Sequence, residues 1–230
     1  TGSGVTVGVV DSGIYQSHVE FDSKTLSGID YTGENTPLAD PDGHGTHVAA
    51  IIAGEKDNFG MRGVAYDAGL KSYRVFDSSG GGAITDSMLA SIFNDHATNN
   101  VRVSNNSWGT DPNSPILESQ VNEAFLRASY ANAIDAMDSA QSNGTVIVFA
   151  NGNNGASTVD MWGGLPVHIN ELSDAWLTVA AVDLNGVETL YTNRCGNAAD
   201  FCVTAPGGGD SQSSEGIYSA YVDSSTDYDR

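Results

Sequence analysis

The run Asp42-Gly43-His44-Gly45-Thr46-His47-Val48-Ala49-Ala50 sets two imidazoles among glycines, a pattern that suits neither an ordinary helix interior nor a strand. An imidazole titrates near neutrality, so a positioned histidine can take and return a proton as a general base. Gly43 and Gly45 leave His44 without bulky neighbours, so that backbone or a ligand can approach it closely. The apolar stretch 48–53 reads as a buried helix closed by Gly54, which places His44 at the helix start beside open space. His47, facing the helix, reads as structural. Taken alone, the run also fits a turn ahead of a core helix, its histidines merely completing hydrogen bonds.

Other polar residues stand where strands end. Asp11 follows Val5-Thr6-Val7-Gly8-Val9-Val10, a β-branched run that suits a buried parallel strand, and the carboxyl ends of such strands collect functional groups. Asp11 reads equally as a cap of the following Ser12-Gly13 turn. Asn153 lies in the amide-rich loop after the apolar run 145–150. Its side chain could donate to a developing oxyanion, although composition alone favours a turn built on asparagines that tolerate left-handed backbone. Gly80-Gly81-Gly82 lacks the lysine of a phosphate-binding loop. Bare glycines suit either main-chain pairing with an extended peptide or a flexible linker. Ser107-Trp108-Gly109 closes a further strand, where Trp108 by itself reads as core.

These groups need a scaffold, and the chain of 230 residues is long enough for one substantial core, read here as a single domain over residues 1–230. Strands are expected at 5–10, 26–31, 70–76, 101–106, 145–150, 176–182 and 201–204. They alternate with the helix at 48–53, one at 84–97 with apolar residues at helical spacing, and one at 117–142 ended by Gly144. Strand, helix, strand implies right-handed crossovers. The segment 208–230, rich in Ser, Asp and Gly, reads as surface loop.

Acidic residues number 29 against 9 basic, a formal charge of −20, which argues against nucleic acid or an anionic membrane surface as partner. No run of about eighteen apolar residues exists, so no membrane insertion is expected. Cys195 and Cys202 are the two cysteines. A bridge between them would stabilise by about 2.5 kcal/mol and imply an oxidising compartment; two free thiols inside a cell are the alternative. No CxxC pattern or nearby histidine pair completes a metal site.

Four motifs, Val9-Val10-Asp11-Ser12-Gly13-Ile14, Gly43-His44-Gly45-Thr46-His47-Val48-Ala49, Asn105-Asn106-Ser107-Trp108-Gly109 and Ala150-Asn151-Gly152-Asn153, occur in the order found in subtilisin-like serine peptidases. The chain resembles that family over nearly its whole length. The resemblance implies a three-layer α/β fold, with a mostly parallel β-sheet flanked by helices. It implies that Asp11 orients the imidazole, that His44 is the general base and that Asn153 is an oxyanion donor. It further implies that Gly80-Gly81-Gly82 and Ser107-Trp108-Gly109 hold a peptide substrate extended, while Ala150 and Gly152 border the pocket for the side chain before the scissile bond. A secreted or cell-surface protein is the corresponding expectation.

One departure stands out. Beyond Ala205-Pro206-Gly207 the family pattern calls for a Gly-Thr-Ser-Met-Ala-like nucleophile motif, and the chain reaches Arg230 without it. Ser211, Ser213, Ser214, Ser219, Ser224 and Ser225 are available, but none sits in the glycine-flanked, helix-initiating context that exposes a reactive hydroxyl. The expectation is therefore a domain truncated before its nucleophile, inactive by itself and poorly stable unless the remaining part of the same peptidase joins it. The competing reading is a catalytically inactive peptide-binding or scaffolding domain; related acid-acting peptidases with glutamate in place of histidine are disfavoured by His44. Calcium could engage Asp57 and Glu20 near the loop 55–60, but a solvated acidic loop is the favoured reading, so no cofactor is expected.

Overall fold

The first β-branched run forms strand β1 (Thr6–Asp11), buried at every residue after Thr6, as a parallel strand covered on both faces requires. In a computed structural model of the chain, which describes residues 1–209 and 216–230, it is followed by β2 (Ser27–Asp30), α1 (His44–Ala53), β3 (Gly69–Arg74), α2 (Asp86–Thr98) and β4 (Val101–Asn106). Then come α3 (Glu123–Ser142), β5 (Val146–Ala150), β6 (Trp176–Val182), β7 (Cys202–Pro206), β8 (Ser219–Ala220) and β9 (Tyr228–Asp229). The strands of the main sheet are parallel and interleaved with helices, an α/β fold. Contacts divide the chain into two compact units: Thr1–Ile84 with Asn99–Asn105 and Tyr218–Arg230, and Thr85–Thr98 with Asn106–Ile217.

In the first unit the strand order is β2-β3-β1-β4, with Asp11 opposite Arg74 at the carboxyl ends. Ala49, Ala50 and Ala53 of α1 are fully buried, in one cluster with Val7, Val9, Ile14, Phe21 and Leu70. Small side chains let the helix lie close to the sheet, and one position is absolute. A Cβ on Gly45 would lie 2.1 Å from the Gly13 carbonyl oxygen, so the helix start rests directly on the turn after β1. The orphan N–H groups of that start are met by buried Asp40, whose Oδ2 accepts from Thr46 N at 2.8 Å and whose Oδ1 accepts from Gly43 N at 2.9 Å.

In the second unit β5, β6 and β7 run parallel in that order, and β6 alternates buried with half-buried residues. Helices α2 and α3 pack on one another. The expected helix 117–142 begins later, at Glu123, where Asn122 Oδ1 accepts from Phe125 N at 2.9 Å. Leu117 is drawn instead into an antiparallel bridge with Asp160, and Glu118–Gln120 forms a separate 3-10 turn. Tyr130 breaks the helical backbone inside α3 (φ −140°, ψ 32°) and sets its ring edge-on to Trp162 at 4.7 Å. Gly144 ends the helix with φ 90°, as expected.

The expectation of a surface loop for 208–230 is corrected over the described residues. β8 and β9 pair antiparallel, Ala220 is fully buried in the α1 cluster, and Ser219 Oγ donates to His47 O at 2.7 Å. Tyr228 donates to buried Glu20 Oε1 at 2.6 Å, and the His18 ring bonds the Asp227 carbonyl at 2.7 Å. His18 Nδ1 accepts from Glu20 N, so its hydrogen sits on Nε2. Two-residue strands leave no alternation to read, and their buried surface comes from Ser219 and Ala220 with half-buried Tyr228. Tyr228→Phe leaves a buried carboxylate oxygen short of a donor, so urea unfolding should show a loss of about 1–3 kcal/mol; an unchanged midpoint would show that this tail does not pack on Glu20.

Candidate active site

Asp11 ends β1 with 1% of its surface exposed. Its Oδ1 accepts from Ser12 N at 2.8 Å and from Ser12 Oγ at 3.2 Å, and lies 2.8 Å from Nδ1 of His44, the first residue of α1. An ionised carboxylate only accepts, so Nδ1 carries the hydrogen and Nε2 is left to take a proton. The His44 side chain is 51% exposed, as access by a reactant demands. Ser12 joins the two halves of the pair: its hydroxyl also accepts from Gly45 N at 2.9 Å, tying the end of β1 to the start of α1. Behind them the buried Arg74 guanidinium donates to Ser12 O at 3.1 Å and to Glu34 at 2.6 Å. Arg74 carried no signal in the sequence, because it acts through partners distant in the chain, whereas Ser12 lies inside the first motif and Asp40 caps amides three and six residues ahead of it.

The hydrogen bond from Asp11 pulls the His44 imidazole from its ordinary 6.5 up to about 9, against the effect of burial and with help from the charges of Asp11, Asp42 and Asp40. A cavity of about 200 Å³ opens beside the ring, lined by Asp11, Ser12, Asp42, His44, Phe76 and Gly80. Gly80-Gly81-Gly82 is a hydrogen-bonded turn rather than a loose linker. Asp77 Oδ1 accepts from Ser79 N at 2.8 Å and Gly81 N at 3.1 Å, while Asp77 N donates to Gly81 O at 2.7 Å. Of the three glycines, Gly80 borders the cavity.

The remaining expected site residues lie in the second unit. Trp108 is buried, edge-on to Phe149 at 5.1 Å and to Trp162 at 5.6 Å, so it is core as well as part of its motif. Buried Asp160 brings the two motifs of this unit together: its Oδ2 accepts from Thr110 N at 3.0 Å, and its own N donates to Asn151 O at 2.8 Å. A Cβ on Gly109 would meet the Asp160 carboxyl at 3.1 Å and one on Gly152 would meet Asp160 Cβ at 3.3 Å. Burial pushes the Asp160 carboxyl up, against the hydrogen bonds from Thr110 and Trp162. Ala150 ends β5, Gly152 has φ 101°, and Asn153 is exposed. Asn151, by contrast, is buried, its Oδ1 accepting from Thr178 Oγ1 at 2.6 Å and its Nδ2 donating to Asn193 O at 3.0 Å.

Cys195 and Cys202 are bridged, with Cα atoms 5.8 Å apart. Of the serines considered as nucleophiles, Ser211, Ser213 and Ser214 lie outside the described residues. Ser219 is buried and committed to His47 O, Ser224 Oγ pairs with Thr226 Oγ1, and among the described residues no serine hydroxyl bonds the His44 ring. At the loop considered for calcium, Glu20 Oε1 is already held by Tyr228 and by Met61 N at 2.7 Å, and Asp57 Oδ1 accepts from Phe59 N. The Tyr228 hydroxyl fills the loop, 1.8 Å from where a Gly60 Cβ would stand, and no group of three His, Cys, Asp or Glu gathers among the described residues.

Known proteins resemble this chain over most of its length. The model of the "Subtilase family" matches residues 2–229. Subtilisin DY of Bacillus licheniformis is 32% identical over 206 residues, covering 90% of this chain and 65% of the relative. The extracellular serine protease of Serratia marcescens is 27% identical over 246 residues, covering 90% of this chain but 22% of its own length. The chain thus spans less than two thirds of either relative. A solved protease of Pseudoalteromonas arctica PAMC 21717 superposes with a TM-score of 0.75 at 26% identity, over 100% of this chain and 72% of that one.

The geometry has a consequence in pH. Because folding raises the His44 pKa, the His44–Asp11 pair stabilises the chain fully below pH 6.5, and that contribution fades as pH climbs from 6.5 through about 9. Proton NMR should show the His44 ring titrating near 9, and Asp11→Asn should bring it to the ordinary range or below. A ring titrating at 6.5 in the unaltered chain would contradict the pairing.

Proposed function

Because the chain belongs to the subtilase family, we propose that it carries the acid–base part of a serine endopeptidase catalytic centre, acting on protein or peptide substrates. The observation that carries this reading is the 2.8 Å contact between the His44 Nδ1 and the buried Asp11 carboxylate, at the edge of an open cavity. In the proposed reaction a serine hydroxyl attacks the scissile carbonyl, and Nε2 of the neutral His44 ring, the form that prevails above about pH 9 in this chain, takes the hydroxyl proton. Asp11 holds the ring in the required tautomer and stabilises the imidazolium. Asn153 donates to the oxyanion of the tetrahedral intermediate. His44 then returns its proton to the leaving amine, and water releases the acyl group by the same route. Gly80-Gly81-Gly82 and Ser107-Trp108-Gly109 serve as the edges that hold the peptide extended, and Ala150 with Gly152 borders the pocket for the side chain before the scissile bond.

The serine is proposed to lie beyond Arg230, and the rest of the same peptidase is proposed as this chain's partner. Export from the cell is proposed too, on the strength of the disulfide and of relatives such as the extracellular protease of Serratia marcescens. The second reading, a groove that binds peptides without cleaving them, is favoured by the absence of a described serine on the His44 ring. A fluorophosphonate probe separates the two. The full-length encoded protein should be labelled, His44→Ala should abolish labelling, and residues 1–230 alone should stay unlabelled. A full-length protein that binds peptide yet never reacts with the probe would support the scaffolding reading instead.

A further inference from the structure

Asn153 has an exposed side chain that makes no hydrogen bond among the described residues, yet a donor for an oxyanion must be held ready rather than recruited. Its neighbours on both sides are fixed by one residue. Asn193 is fully buried; its N donates to Gly152 O at 2.9 Å, and its Oδ1 accepts from both Asn154 N and Ala156 N at 3.0 Å. Its carbonyl accepts from Asn151 Nδ2 at 3.0 Å. The flanking backbone continues the ladder, Gly155 N to Tyr191 O at 2.7 Å and Arg194 N to Ala156 O at 2.9 Å.

The remaining atom of that side chain explains the glycine. Asn193 Nδ2 is buried without a partner and stands 2.5 Å from where a Gly152 Cβ would be, so only a bare residue at 152, in its positive-φ conformation, admits it. The side chain retains an unpaired donor in order to place its oxygen between two amides. We propose that Asn193 is a positioning residue: it pins residues 151, 152, 154 and 156 and thereby presents the Asn153 amide as a preset donor. The proposal rests on the oxyanion role assigned to Asn153 above.

The test pairs amide exchange with kinetics, both on the full-length protein. Asn193→Ala should speed hydrogen exchange at Asn154 and Ala156 while leaving α1 unchanged, and should lower kcat on the order of tenfold to a hundredfold with KM nearly constant. Asn193→Asp, which keeps the acceptor, should restore both; should the alanine variant not fold, Asn193→Ser, too short to reach both amides, takes its place. In an Asn153→Ala background the Asn193 substitution should cost no further kcat. A loss that is fully additive, or protection at Asn154 and Ala156 that survives Asn193→Ala, overturns the positioning role while leaving the oxyanion reading intact. An Asn153→Ala variant with unchanged kcat overturns that reading itself.

Discussion

The first unit depends on holding an ionisable carboxylate almost out of water while an imidazole beside it stays half in water. Asp11 is 1% exposed and its Oδ2 has no hydrogen-bond partner, an arrangement that would be costly were Oδ1 not surrounded by donors from Ser12 and His44. Every nearby feature serves to keep that oxygen and that ring in register. Gly45 lets α1 start against the turn after β1, Ser12 bonds Asp11 and the Gly45 amide, Asp40 satisfies the free amides of the helix start, and Arg74 fixes the Ser12 carbonyl from behind. The pair is the product of a whole strand–turn–helix contact, which is why its residues are spread over a motif and not confined to two positions.

The second unit follows a related principle with neutral groups. Its exposed segments are built from glycines and one free amide, while the side chains that shape them, Asn151, Asp160 and Asn193, are buried and bonded mainly to backbone. Residues 152–156 lack regular secondary structure, so their backbone groups must find partners elsewhere, and the strip 191–194 supplies them. The disulfide at Cys195 follows that strip directly.

What could be read from the sequence was what is local. A β-branched run announced β1, the glycine-flanked imidazole announced α1 and its first residue, and Gly144 marked a helix end, because in each case the cause lies within a few residues. The contact between Asp11 and His44 became legible through motif order rather than through spacing. Arg74, Asp160 and Asn193 gave no sign, since their importance comes from backbone groups up to tens of residues away. The start of α3 was misplaced because apolar spacing continued past a segment that tertiary pairing between Leu117 and Asp160 had claimed. The tail's pairing is invisible to periodicity because strands of two residues have no period.

The most direct measurement is a crystal structure of the full-length protein after reaction with a peptidyl phosphonate. The account predicts phosphorus bonded to the hydroxyl of a serine beyond Arg230, that oxygen within hydrogen-bond reach of His44 Nε2, and Nδ1 still paired with Asp11. Phosphorus on any other residue, or an imidazole turned away from the Asp11 carboxylate, would contradict it.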